Sequence, residues 1–278
     1  MPTYPFGQPL TPVIQTDRGP KRVFVLGVYA SAVHARWMSP EGKVKVRALA
    51  VASEPEIFWR GEGAAAIIRQ ISMPASLGHL VPADARLNGP SGVVLDERFL
   101  APLGVTRQDA WLCDLLPESR LNPSQRKALD REYMDFVRQG LVPDVTIPPV
   151  PRRFCDDDRA AEIVEEILAS QAPLLVTLGD IPLREFVARF EPKWAKLSVF
   201  GQTAQTYGQE HPLTIGGHAL SLLPLVHPRQ AGRLGASSGV WAGLHGQWVG
   251  MKLGNREAYE AALAQVPHAQ PDDVDRKD

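Results

Sequence analysis

Residues 221–248 read SLLPLVHPRQAGRLGASSGVWAGLHGQW. An apolar run at 222–226 stops at His227-Pro228-Arg229, and a short loop with Arg and Gly follows. Ser237-Ser238 then opens a segment with Trp241, Leu244, His245 and Trp248 at helical spacing. Core strand, polar loop, helix is the order in which an α/β protein presents a ligand site, because the loop lies outside the carboxyl end of the strand. The charge pattern sharpens this. From residue 211 to 256 there is no Asp or Glu, although 31 acids in 278 residues would place about five there. The same span carries Arg229, Arg233, Lys252 and Arg256, and four of the seven His. A local absence of negative charge suits a polyanion. The plain alternative is a strand-to-helix connection with a chance charge bias. The Trp and Leu positions in the helical segment read as core packing.

The chain is long enough to bury a sizeable core, and 44% hydrophobic with 22% charged residues is ordinary for a globular protein. Net charge is −1, so nucleic-acid binding would have to come from a local patch. Two cysteines, Cys113 and Cys155, make no disulfide framework and exclude a four-Cys metal or iron–sulfur site built from this chain alone. The N-terminus lacks the basic and apolar regions of a signal peptide, and no apolar run reaches membrane-span length. A monomeric cytoplasmic protein without a metal or other cofactor is expected.

Residues 1–20 carry five Pro and read as a flexible arm, residues 21–266 as one α/β domain, and 267–278 as a polar tail. VFVLG at 23–27 reads as a buried first strand, with 28–43 as its exit loop. Residues 43–51 alternate basic and apolar side chains, which predicts a half-exposed, antiparallel strand near an edge. Further buried strands are predicted at 109–116, 173–178 and 219–226, and helices at 63–71, 91–100, 123–140, 159–169 and 182–190. Three Asp at 156–158 cap the fourth of these helices. Strands alternating with helices predict a three-layer α/β/α sandwich around a central, mainly parallel sheet.

The ordered segments VFVLGVYASA, LNGPSGVVLD, DAWLCDLLP, LLVTLGDIPLREF and LLPLVHPRQAG resemble the uracil-DNA glycosylase superfamily over roughly residues 20–255. In that family a Gly-rich first motif follows strand one. A Gly-x-x-Gly element comes next, then a strand ending in Asn, a strand ending Leu-Gly and a final His-Pro-Ser loop. Leu178-Gly179 and His227-Pro228 match the last two. Several positions depart. Tyr29 stands after Gly27 where an Asp or Asn usually positions water, and Ala30 replaces the usual Pro. Leu87 matches the aromatic that stacks on the base, Asp114 the Asn that reads its edge, and Arg229 the final Ser.

The resemblance implies a uracil-DNA glycosylase-like fold. It also implies removal of a damaged or deaminated base from DNA, by hydrolysis of the N-glycosidic bond after base flipping. Gly27, Tyr29, Ala30, Leu87 and Asp114 are then the substrate-binding candidates. His227, at a rigid strand end, is the candidate donor to the base oxygen that becomes anionic, and His34 could orient water or contact phosphate. Arg229 and Arg233 could grip phosphates, with Ser237, Ser238 and Arg36 as further DNA contacts, and Trp37 beside Arg36 could stack. An ionised Asp114 only accepts hydrogen bonds and would repel a uracil carbonyl, whereas a protonated one could donate. A catalytically silent, glycosylase-like module that holds damaged or single-stranded DNA remains the alternative, with a nucleoside hydrolase behind it.

Overall fold

The computed structural model describes residues 1–233 and 239–264. In chain order its strands are β1 (Val23–Tyr29), β2 (Ala32–Met38), β3 (Val44–Ser53), β4 (His79–Pro82), β5 (Ala110–Leu116), β6 (Leu174–Leu178), β7 (His211–Ile215) and β8 (His218–Leu225). The α-helices are α1 (Ala64–Arg69), α2 (Pro90–Leu95), α3 (Pro123–Glu132), α4 (Met134–Arg138), α5 (Asp157–Ser170), α6 (Asp180–Glu185), α7 (Pro228–Ala231) and α8 (Gly239–Ala264). No helix among the described residues is long and apolar enough to cross a membrane.

The five-stranded sheet runs β5-β1-β6-β8-β7, parallel except for β7, which returns antiparallel on β8 through Gly216-Gly217. The fold is thus α/β around a mixed, mostly parallel sheet. Consecutive side chains of a strand point to opposite faces. In β1 and β5 all but the last residue are buried, so both faces of the sheet centre are covered. Ile163 and Ile167 of α5, Leu183 of α6 and Trp248 of α8 belong to the same core. Pairing of Leu178 with Leu225 brings the Leu178-Gly179 strand end beside His227.

A second sheet, β3-β2-β4, is antiparallel. The expected exit loop at 28–43 is therefore mostly strand β2. Val33, Ala35 and Trp37 face its core and His34, Arg36 and Met38 are half-buried. That alternation is faint because small and charged residues occupy it. Trp37 is fully buried and donates its indole N–H to the Leu77 carbonyl at 2.7 Å, so it cannot stack on a base.

The N-terminal segment also differs from expectation. Tyr4, Phe6, Leu10 and Val13 are buried, and Phe6 meets Trp37 and Tyr133 edge-on at 5.6 and 5.2 Å. Residues 1–20 hold apolar side chains between their prolines; Tyr4, Phe6 and Leu10 complete the core of the second sheet, and Val13 joins that of the first. The chain thus builds two hydrophobic clusters, and the cleft described below opens where they meet.

Two glycines make that junction. A Cβ on Gly89 would lie 2.1 Å from the Arg60 carbonyl carbon, and one on Gly92 would lie 2.1 Å from the Phe58 carbonyl oxygen. The Gly-x-x-Gly element is therefore a seat for the 58–61 backbone. Gly92→Ala is expected to destabilise by about 1–3 kcal/mol, because the opposing atoms are backbone and cannot rotate away. Thermal unfolding of the variant checks this.

Candidate functional site

A cleft of about 500 Å³ lies at the carboxyl end of the parallel sheet. It is lined by Tyr29, His34, Leu87, Asp114, His227 and Arg229, all singled out in the sequence, and by Glu54, Phe58, Asn122 and Gln125, which were not. Of the remaining candidates, Gly27 lies under the cleft floor, Ala30 is buried beside a smaller adjoining cavity, and Arg36 and Arg233 are outside the lining. Arg233 is exposed two residues beyond α7, whereas Arg36 is half-buried in β2. Ser237 and Ser238 lie outside the described residues.

His227 is the N-cap of α7. Its Nδ1 accepts from the Arg229 backbone N–H at 3.2 Å, which leaves the proton on Nε2. Burial, aided by the Arg229 charge, holds the ring down to about 4, so it is neutral at physiological pH. The strand behind it is braced. Val226 donates its backbone N–H to the Tyr207 hydroxyl at 3.1 Å, and that hydroxyl donates to Nδ1 of buried His245 at 2.8 Å. His245 closes the chain by donating from Nε2 to the Arg98 carbonyl at 2.9 Å. The helical spacing of His245 with Trp248 showed only that it faces the core; this bracing needed the fold.

Asp114, two residues before the end of β5, lies directly opposite Gly27. A Cβ at Gly27 would meet the Asp114 Oδ1 at 2.2 Å and the Phe58 ring edge at 2.6 Å. Glycine is needed there so that a carboxyl and an aromatic edge can meet on the floor. Asp114 is pushed up to about 7 by burial, against Arg159 and the Val28 backbone N–H, which favour its ionised form. Phe58 has a left-handed backbone with φ of 50°. Arg107 fixes it, donating to the carbonyls of Ile57, Phe58 and Gly92 at 3.2, 2.5 and 3.3 Å while pairing with Asp96 at 2.7 Å. A bulky residue held at positive φ carries strain of order 1–3 kcal/mol, and such strain gathers at functional sites. Phe58 thus places an aromatic ring edge on the cleft floor. Leu87 is 41% exposed at the rim.

His34 is locked from two sides. Asn88, buried in the turn before α2, accepts from its backbone N–H at 2.8 Å and donates to its carbonyl at 3.0 Å. Gln125 accepts from the Asn122 N–H through Oε1 at 3.0 Å, so its amide nitrogen faces His34 Nε2 at 3.1 Å and donates to it. The acceptor nitrogen of His34 is therefore occupied. Burial keeps the ring neutral although the backbone of Ala32 and Leu87 favours its charged form, and Nδ1 is buried with no hydrogen-bond partner among the described residues. This geometry suits a wall or a donor contact and not abstraction of a proton.

Glu54 immediately follows β3 and is 7% exposed. Burial and the nearby Asp114 push it up to about 8, although the Ser31 backbone N–H favours its charged form. Among the described residues neither Glu54 nor Asp114 forms an ion pair. Arg229 is exposed at the mouth, and its charge reaches Tyr29, His34 and His227. Among the described residues no group of three or more His, Cys, Asp or Glu is arranged to hold a metal ion.

The cleft therefore combines an aromatic edge, a neutral imidazole N–H donor, two carboxyls with raised affinity for protons, and a cation at the mouth. No model of a known protein family matches the chain, and a search of curated proteins returns no match.

Proposed function

We propose that this protein is a DNA glycosylase with a uracil-DNA glycosylase-like α/β/α fold, which receives a flipped base in the cleft and hydrolyses its bond to deoxyribose. The observation that carries the reading is His227. Its tautomer is set by the helix cap, and its ring lines a cleft floored by Asp114 and Phe58. Breaking the C1′–N bond sends the bond's electron pair into the leaving base, and a preorganised donor at the base oxygen stabilises that charge. Asp114 lies at the edge of the Phe58 ring, where it would read the rim of a base stacked on that ring. A protonated Asp114 offers one donor and one acceptor, as an Asn amide does, so its replacement of Asn does not by itself forbid a uracil edge.

The deciding experiment incubates the protein with oligonucleotides that each carry one altered base, then cleaves abasic sites with hot alkali. Strand scission at one or more bases is expected. Tight DNA binding with no scission at any base would leave the catalytically silent binding module as the correct reading.

Arg229 and Arg233 are read as phosphate contacts next to the cleft. Replacing both with Ala is expected to weaken DNA binding uniformly across sequences and to lower the salt slope by about 0.9 per lost contact. Filter binding over a salt series measures this. An unchanged slope would remove the loop from the DNA interface.

A further inference from the structure

We infer that Glu54 is the general base of this cleft, the group that positions the attacking water and takes its proton. The inference rests on the glycosylase reading. The water oxygen bonds to C1′ as the C1′–N bond breaks. The electron pair of that bond leaves with the base, facing the His227 Nε2–H. The water proton passes to the Glu54 carboxylate, and both it and the free base then exchange protons with solvent.

Glu54 emerges because the other candidates in the cleft are engaged. His34 has its acceptor nitrogen occupied by Gln125, and His227 has its acceptor nitrogen occupied by the Arg229 N–H. Tyr29, raised by burial, is a protonated phenol and no base. Asp114 sits against the Phe58 ring edge, where it reads a base. Glu54 enters the cleft from just after β3, with its carboxyl beside the Ser31 N–H just past β1. A carboxylate at the β1 exit is what Tyr29 fails to supply, and β3 delivers one to that place from another part of the chain.

The charges that act on Glu54 are Asp114 from β5, Arg107 from the turn before β5, and Glu56 on its own segment. Arg229, His34 and His227 share the cleft. Two close carboxyls in one dry site resist joint ionisation, so the pair tends to hold a single proton. Burial raises Glu54 further than Asp114, so the shared proton rests mainly on Glu54; the active form is the minority arrangement, with the proton on Asp114, which donates to the base, and the charge on Glu54, which takes the proton of water. Excision should therefore rise with pH along one limb and fall along another, and both apparent values belong to the pair.

Single-turnover excision is the test, on whichever substrate the wild type processes. Glu54→Gln is expected to slow it about a hundredfold and to abolish the rising limb. Its affinity for duplex DNA carrying a cleavage-resistant 2′-fluoro nucleotide should stay unchanged. Glu54→Asp keeps a displaced carboxyl, so it should retain the limb at an intermediate rate, and it serves if the Gln variant folds poorly. An active wild type whose rate or rising limb survives in Glu54→Gln would overturn the role of Glu54 and leave the glycosylase reading standing. A wild type inactive on every base would overturn both.

Discussion

His227→Ala is expected to lower base excision about 10²–10³-fold while DNA binding persists, as removal of a single preorganised donor does in other acyl- and group-transfer sites. The expectation follows from the protonation pattern of the ring. Nδ1 is committed to the Arg229 N–H and Nε2 carries the only proton, so the imidazole can donate to the leaving base and cannot take a proton from water. Because the ring is held neutral down to about 4, excision should show no limb from His227 near the ordinary His value. The substitution also removes a helix cap, worth about 1 kcal/mol. His227→Asn separates the two effects. Asn caps a helix well, so its stability should lie closer to wild type. Its side chain is shorter and should leave excision as low as in the Ala variant. Excision that survives His227→Ala would refute the assigned role, whatever happened to stability.

The sequence made the parallel strands legible because each is a short apolar run with a chemically distinct residue within two positions of its carboxyl end: Gly27, Asp114, Gly179 and His227. Those ends converge at one edge of a parallel sheet by topology alone, so Asp114 and His227 could be placed together before any coordinates. What stayed hidden came from the second sheet. The alternation of β2 is disguised by Ala and by His34 and Arg36, so a loop was expected where a strand presents His34. Glu54 and Phe58 follow β3 in a stretch with no periodicity, and the close seat of Gly92 and the hydrogen bond of Arg107 on the Phe58 carbonyl, which hold Phe58 in place, are visible only in the fold. The one available signal was a carboxylate directly after a β-rich run, which by itself does not tell a buried acid from a solvated one. Gln125 was equally silent. It reads as an ordinary helix-start residue, and its lock on His34 spans 91 positions of the chain.

Asp114→Asn should shift base preference towards uracil, and the shift should grow with pH. Below about 7 the wild-type carboxyl is neutral and presents an O–H beside a carbonyl oxygen, a match for a ring N–H flanked by a carbonyl. Above that value it is acceptor-only. It then opposes the uracil carbonyl and favours an exocyclic amine. Asn presents the donor and the acceptor at every pH. Wild-type excision of uracil should therefore fall as pH rises through the Asp114 transition, and the falling limb should vanish in Asp114→Asn. At alkaline pH the substitution should change the uracil-to-amine preference by up to roughly 10⁴, the size of effect seen when a buried polar site loses or gains its specific partner. Stability gives an independent reading of the same proton. The native carboxyl is neutral up to about 7 while the unfolded one ionises from 3.8, so the native state binds more protons across that window. Asp114 therefore makes the wild type less stable as pH rises through it, and Asp114→Asn should remove that part of the slope. Excision on uracil, hypoxanthine and alkylated-base oligonucleotides between pH 5.5 and 9, beside urea unfolding over the same range, measures both. A variant whose base preference and pH profile match the wild type would take Asp114 out of base reading, even if the stability slope changed as expected.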